Sequence, residues 1–180
     1  MAEAQGANHR RGLVMVNTGR GKGKTTAALG LALRGVGHGL RTLIIQFIKS
    51  GQGYGEMEAV RLLPGVEMRA TGLGLIAEHN DLEPHRQAAR RGWEMAQREV
   101  LGGGWDLVVL DEINNAMQRG FISPAEVAEL IKAKPPALHL LLTGRACPPE
   151  IQDLADMVTV MEPKRHHAQA GVPAQPGIEY

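Results

Sequence analysis

The residues Gly19-Arg20-Gly21-Lys22-Gly23-Lys24-Thr25-Thr26 combine glycines, lysines and hydroxyls at a spacing suited to the phosphates of a nucleoside triphosphate. Glycines permit tight backbone turns that expose successive N–H groups, and Lys24 adds a full positive charge to the partial one at a helix N-terminus. The loop stands in P-loop order. The apolar run Leu13-Val14-Met15-Val16 predicts a buried strand before it, and Ala27 to Leu33 predicts a small-residue helix after it. One departure from G-x-x-x-x-G-K-[ST] is visible: Thr18 stands five positions before Gly23, and Gly19 comes one residue late. A second chemical feature is Leu107-Val108-Val109-Leu110-Asp111-Glu112, an apolar strand ending in two carboxylates. Such an end holds Mg2+ or polarises a water beside phosphates.

The elements that must position these groups alternate short apolar runs with helical stretches, which predicts an α/β fold with a mostly parallel sheet. Thr42 to Phe47 reads as a strand buried on both faces. Ligands in such sheets sit beyond the carboxyl ends of the strands, so Gln46 to Tyr54, Glu112 to Asn115 and Thr143 to Arg145 are expected on the rim that carries the P-loop. Further helices are expected over Glu56 to Leu63, Pro84 to Leu101 and Pro124 to Lys134, the last opened by a capping box at Ser123-Pro124-Ala125-Glu126. Val66 to Ala70, Leu138 to Leu142 and Met157 to Met161 read as strands, Thr71 to Glu83 as a loop, and Trp93 and Met95 as core-facing.

With 180 residues, 43% apolar and 22% charged, the chain suits a single domain over 1–180, with a flexible arm at 1–12 and an extended tail at 162–180. A net charge of +1 supplies no field for nucleic acid, and 3% aromatic residues are too few for a base-stacking platform. The lone Cys147 cannot form an internal disulfide or a Cys-x-x-Cys zinc pair, which fits a reducing cytoplasm. The polar start, with Arg10 and Arg11, leads into no apolar stretch of membrane length, so neither export nor a membrane span is expected.

The P-loop, Asp111-Glu112-Ile113-Asn114, Thr143-Gly144-Arg145 and the ending Ala174-Gln175-Pro176-Gly177-Ile178-Glu179-Tyr180 together resemble the P-loop class of ATP:corrinoid adenosyltransferases over nearly the whole chain. That family's loop is similar in its one-residue shift. The resemblance implies a RecA-like P-loop NTPase fold, a homodimer, and transfer of the 5′-deoxyadenosyl group of ATP to cobalt(I) of a reduced corrinoid with release of triphosphate. It also implies Mg2+, with Mn2+ as a substitute, and an electron-donor flavoprotein. No protein nucleophile is needed, because cobalt(I) attacks the ribose 5′ carbon. What is needed is a clamp for the leaving triphosphate, and Gly19, Gly21, Lys22, Gly23, Lys24, Thr25 and Thr26 match it. The resemblance gives Thr25 and Glu112 to the metal and Arg145 to phosphate oxygens.

Several positions keep two readings. Arg20 stands where the family more often has asparagine, and is either solvated or an added phosphate contact. Asn114 and Asn115 either cap a helix or touch the nucleoside. His166-His167 are either solvated or line a corrinoid site. In Gly72 to Glu78 the family usually carries Phe-Thr-Trp, where this chain has Leu75-Ile76-Ala77. Those rings are associated in the family with displacing the lower ligand of cobalt, so this chain is expected to prefer corrinoids with a loosely held lower ligand or to use another side chain as the wedge. The alternatives in function are a P-loop kinase or ATPase on the same sheet, and a protein that binds ATP without chemistry.

Overall fold

The computed structural model describes residues 11–51, 53–74 and 81–179. Twelve elements alternate along them: β1 (Val14–Thr18), α1 (Lys24–Val36), β2 (Thr42–Gln46), α2 (Gly55–Val60), β3 (Val66–Ala70), α3 (Leu82–Gly102), β4 (Leu107–Asp111), α4 (Ile113–Gln118), α5 (Pro124–Ala133), β5 (His139–Thr143), α6 (Pro149–Gln152) and β6 (Met157–Val160). The strands form one sheet in the order β3-β2-β4-β5-β1-β6, and every pair is parallel. All carboxyl ends therefore lie on one edge. Gln46 is in register with Asp111, and Asn17 with Thr143, so the loops that follow those strands meet on one rim.

Central strands are apolar between their ends because both faces are covered. On one face Trp93, Ala96 and Val100 of α3, Ile113 of α4 and Val127 and Leu130 of α5 pack with Leu43, Ile45, Val108, Leu110, Leu140 and Leu142. On the other, Ala28 and Ala32 of α1 lie on Ile44, Val109 and Leu141, and their small size lets the helix approach closely. β6 is an edge strand with Met157 53% and Val160 56% exposed. No helix of the described residues is long and apolar enough to cross a membrane.

The expected elements form within a few residues of their expected limits. Trp93 is fully buried and Met95 packs against the same core. Ser123 makes the expected capping box with Glu126, and Asp81 caps α3 by accepting from Glu83 N at 3.0 Å. The tail differs from the expectation of an extended segment. His167–Ala170 turns as a 3-10 helix, because His166 caps it and Gly171 adopts φ 73 at its end. Residues 11 and 12 of the expected arm are tied down: Arg11 pairs with Asp156, and Gly12 N donates to Pro136 O at 2.7 Å. The rest of the arm and the Leu75-Ile76-Ala77 segment lie outside the described residues.

Candidate nucleotide site

The glycine loop is shaped by the chain end of β6 as much as by its own turns. Gly21 N donates to Met161 O at 2.7 Å and Met161 N donates to Thr18 O at 2.8 Å. A Cβ on Gly19 would lie 2.4 Å from Met161 O, and one on Gly21 2.8 Å from the same atom, so no side chain fits at either position. Gly19 also has φ 98 and Gly23 has φ 112. The shifted register thus has a tertiary cause: the glycine is required where the loop passes Met161, and position 18 supplies a hydroxyl, Thr18 Oγ1, that accepts from Cys147 N at 3.1 Å.

Gly23 opens α1, whose first turn carries no acidic side chain. Its N–H groups and the helix dipole therefore present positive potential that no side chain of the first turn opposes. The Lys24 ammonium bends over the loop and donates to Gly19 O at 2.8 Å and Gly21 O at 2.6 Å. Burial lowers its pKa, and the nearby Glu112 carboxylate works against that shift.

Asp111 is the buried hub beneath the loop. Its Oδ1 accepts from Thr25 Oγ1 at 2.9 Å and from Thr143 Oγ1 at 2.6 Å, and its Oδ2 accepts from Gln46 Nε2 at 3.1 Å. Three strand ends and α1 are joined there. Glu112 follows in the left-handed region, φ 65, and this turn sends its carboxylate into the cavity instead of the core. Burial first, then Asp111, pushes the Glu112 carboxyl above its ordinary pKa. Asn115 Nδ2 donates to Glu112 Oε2, and Asn115 Oδ1 accepts from Arg145 N at 2.7 Å.

Gly21 to Thr26, with Arg20, Lys49, Glu112 and Arg145, line a cavity of about 700 Å3, and Asp111 lies buried behind Thr25. A second cavity of about 620 Å3 adjoins it and shares Lys49, Glu112 and Arg145. The expected rim is thereby in place, and Arg20 lies on the wall of the first cavity. Asn114 does not reach either cavity. It is fully buried and donates to Gly144 O at 3.2 Å, so its place is under the β5 loop. Neither asparagine caps α4, whose cap position is Glu112 and has no side-chain bond. The histidine pair is not simply solvated: His166 lines the cavity, and His167 Nε2 lies 3.1 Å from Glu179 Oε1.

Four residues that the sequence reading named or placed on the rim make contacts it did not assign. Asp111 was visible as one of the strand-end carboxylates, but nothing local shows that it gathers Thr143 and Gln46. Lys49 follows β2 on the rim, and its ion pair with Glu56 is nonlocal. Asn115 acts across two loops. Glu179 reaches Lys22 at 3.2 Å from the far end of the chain.

The donor set suits a hard cation on chemical grounds, because Thr25 and Glu112 offer oxygens at the cavity wall with Asp111 directly behind Thr25. Among known proteins, the family described as ATP:corrinoid adenosyltransferase BtuR/CobO/CobP matches residues 10–180. The corrinoid adenosyltransferase of Escherichia coli is 37% identical over 174 residues, covering 97% of this chain and 88% of the relative. That of Salmonella typhimurium is 38% identical with the same coverage, and that of Pseudomonas aeruginosa 35% identical over 97% of this chain and 86% of the relative. A solved KaiC-like protein from Pyrococcus horikoshii matches in fold alone, with a TM-score of 0.50 at 14% identity over 86% of this chain and 75% of that one. The sheet is accordingly that of a RecA-like P-loop protein, and with this match along its length the chain belongs to the ATP:corrinoid adenosyltransferase family.

Proposed function

We propose that this protein transfers the 5′-deoxyadenosyl group of ATP to the cobalt of a reduced corrinoid. Cobalt(I) supplies the electron pair of the new cobalt–carbon bond, the bond from the 5′ carbon to the triphosphate oxygen breaks, and triphosphate leaves with the pair of that broken carbon–oxygen bond. The observation that carries the reading is the pair of cavities meeting at Lys49, Glu112 and Arg145: the glycine loop lines one, and the other opens beside it where a second substrate can approach.

Gly21, Gly23, Lys24, Thr25 and Thr26 line the cavity that holds the triphosphate, Gly19 shapes the loop behind it, and the N–H groups at the start of α1 are donors fixed before charge develops. Lys22, Arg20 and Arg145 add charge from the cavity wall. Thr25 and Glu112 would hold Mg2+, or Mn2+, with Asp111 orienting Thr25. Bound there, the ion would neutralise phosphate oxygens. Asn115 keeps Glu112 and the Arg145 backbone in fixed relation.

The same reading includes one domain over the whole chain, a cytoplasmic setting, and an electron-donor flavoprotein that delivers the reduced corrinoid. A homodimer fits the exposed apolar residues Met157, Val158 and Val160 on the β6 edge. The test is anaerobic incubation with chemically reduced cobalamin or cobinamide and MgATP, followed by optical spectra and phosphate analysis. Cobalt–carbon bond formation with intact triphosphate is expected. ADP with phosphate, or a phosphorylated acceptor, would establish a kinase or ATPase instead.

A further inference from the structure

The tail wall of the nucleotide cavity contains a charge relay that the phosphate motifs do not explain. One oxygen of Glu179, Oε1, lies 3.2 Å from Lys22 Nζ and 3.1 Å from His167 Nε2. The other ring nitrogen of His167, Nδ1, is 2.7 Å from Val172 O. A carbonyl oxygen only accepts, so Nδ1 carries a proton. Nε2 therefore meets Glu179 either as a bare lone pair, which the carboxylate repels, or as the second N–H of an imidazolium, which it attracts.

The charged and titratable groups facing His167 are Glu179 and Lys22, with the His166 ring at a centroid distance of 4.5 Å. The Val172 carbonyl first, and Glu179 second, hold the His167 pKa above its ordinary value, while Lys22 acts against them. Burial raises the Glu179 carboxyl, but the bonds from His167 and Lys22 outweigh it and leave the group below its ordinary value. His166, His167 and Glu179 also bring ligand-type atoms within 4.8 Å of one another. A dication there is opposed by the Lys22 ammonium on the same carboxylate, and His166 Nδ1 is engaged by Ala168 N at 3.3 Å.

We infer that Glu179 is a positioning residue for the phosphate site: it holds Lys22 at the cavity wall and gives it up to the triphosphate, after which His167 is its remaining counterion. The inference rests on the triphosphate of ATP occupying the glycine loop. Lys22 then moves from a carboxylate carrying one charge to a ligand carrying several. Both changes favour a charged imidazole, since a cation leaves the neighbourhood of His167 and a polyanion enters it. MgATP binding is thus accompanied by proton uptake at His167 wherever the ring is not already charged in the free protein. By linkage, a ligand that takes up protons binds more tightly as pH falls.

The test titrates the full chain with MgATP, without corrinoid, by calorimetry in buffers of different ionisation enthalpy, across the histidine range of about pH 6 to 8.5. The wild type is expected to take up a substantial fraction of one proton per MgATP near neutral pH. H167Q and E179Q are expected to lose that uptake, and the Kd for MgATP should lose its pH slope in both. A merely structural tail would lower affinity equally at every pH. Unchanged proton uptake in either variant that binds MgATP overturns the inference. K24A in the same assay keeps the two readings apart: wild-type ATP binding in K24A refutes the phosphate loop itself, whereas lost binding in K24A with normal uptake in H167Q refutes only the relay.

Discussion

Asp111→Asn tests whether the buried carboxylate organises the site. Asp111 is wholly buried and accepts from Thr25, Thr143 and Gln46. The amide can keep an oxygen toward the two threonines, which places its NH2 against the NH2 of Gln46. Gln46 can answer by turning its own amide over, because its Oε1 is buried without a hydrogen-bond partner and exchanges places at no loss of bonds. What remains is the change of three bonds from charge-assisted to neutral, at about 1 kcal/mol each, or about 3 kcal/mol of stability. For a chain of this size that corresponds to a fall in Tm of about 6 to 12 °C. Asp111→Ala instead strands the Thr143 hydroxyl and the Gln46 amide in the interior, each at about 1 to 3 kcal/mol, loses the Thr25 bond as well, and should cost about 5 kcal/mol or more. Urea unfolding of the two variants beside wild type measures the difference. Equal destabilisation would refute the reasoning, since it would mean that the amide recovers none of the bonds.

Lys24→Ala should weaken MgATP binding by about 1.5 to 3 kcal/mol, roughly 10- to 100-fold, as calorimetry would show. Asn115→Ala removes the partner of both Glu112 and the Arg145 backbone, so kcat/KM should fall by about tenfold, and wild-type kinetics would show that these loops hold without it. Cys147 is buried, and burial, followed by the neighbouring Glu150, raises its thiol pKa to about 12. A thiol reacts as its thiolate, which at pH 8 is then only about one part in ten thousand, so a maleimide should label Cys147 only in denaturant.

The sheet was legible in the sequence because each central strand is a short apolar run between loops, and the capping box at Ser123 is written in adjacent residues. The phosphate loop was legible for the same reason: Gly19 to Thr26 are contiguous. Its missing glycine at position 18 became intelligible only with Met161, which approaches from the other end of the chain. The relay through Glu179 and the Asp111 hub were hidden because each depends on residues far apart in sequence. Asn114 illustrates the opposite error. It follows the carboxylates in a familiar order, yet the turn of α4 carries it inward to Gly144.

The left-handed backbone at Glu112 sets two selective pressures against each other. Glycine would fill that conformation with less strain, by about 1 kcal/mol, and asparagine would tolerate it better than a longer side chain. Either replacement would take the carboxylate out of the cavity. Stability-driven design applied to this chain without regard to ligands would therefore be drawn to position 112, and would tend to return a sturdier protein with an emptied site. On the proposed function, the carboxylate at position 112 offsets in chemistry what its backbone geometry costs in stability.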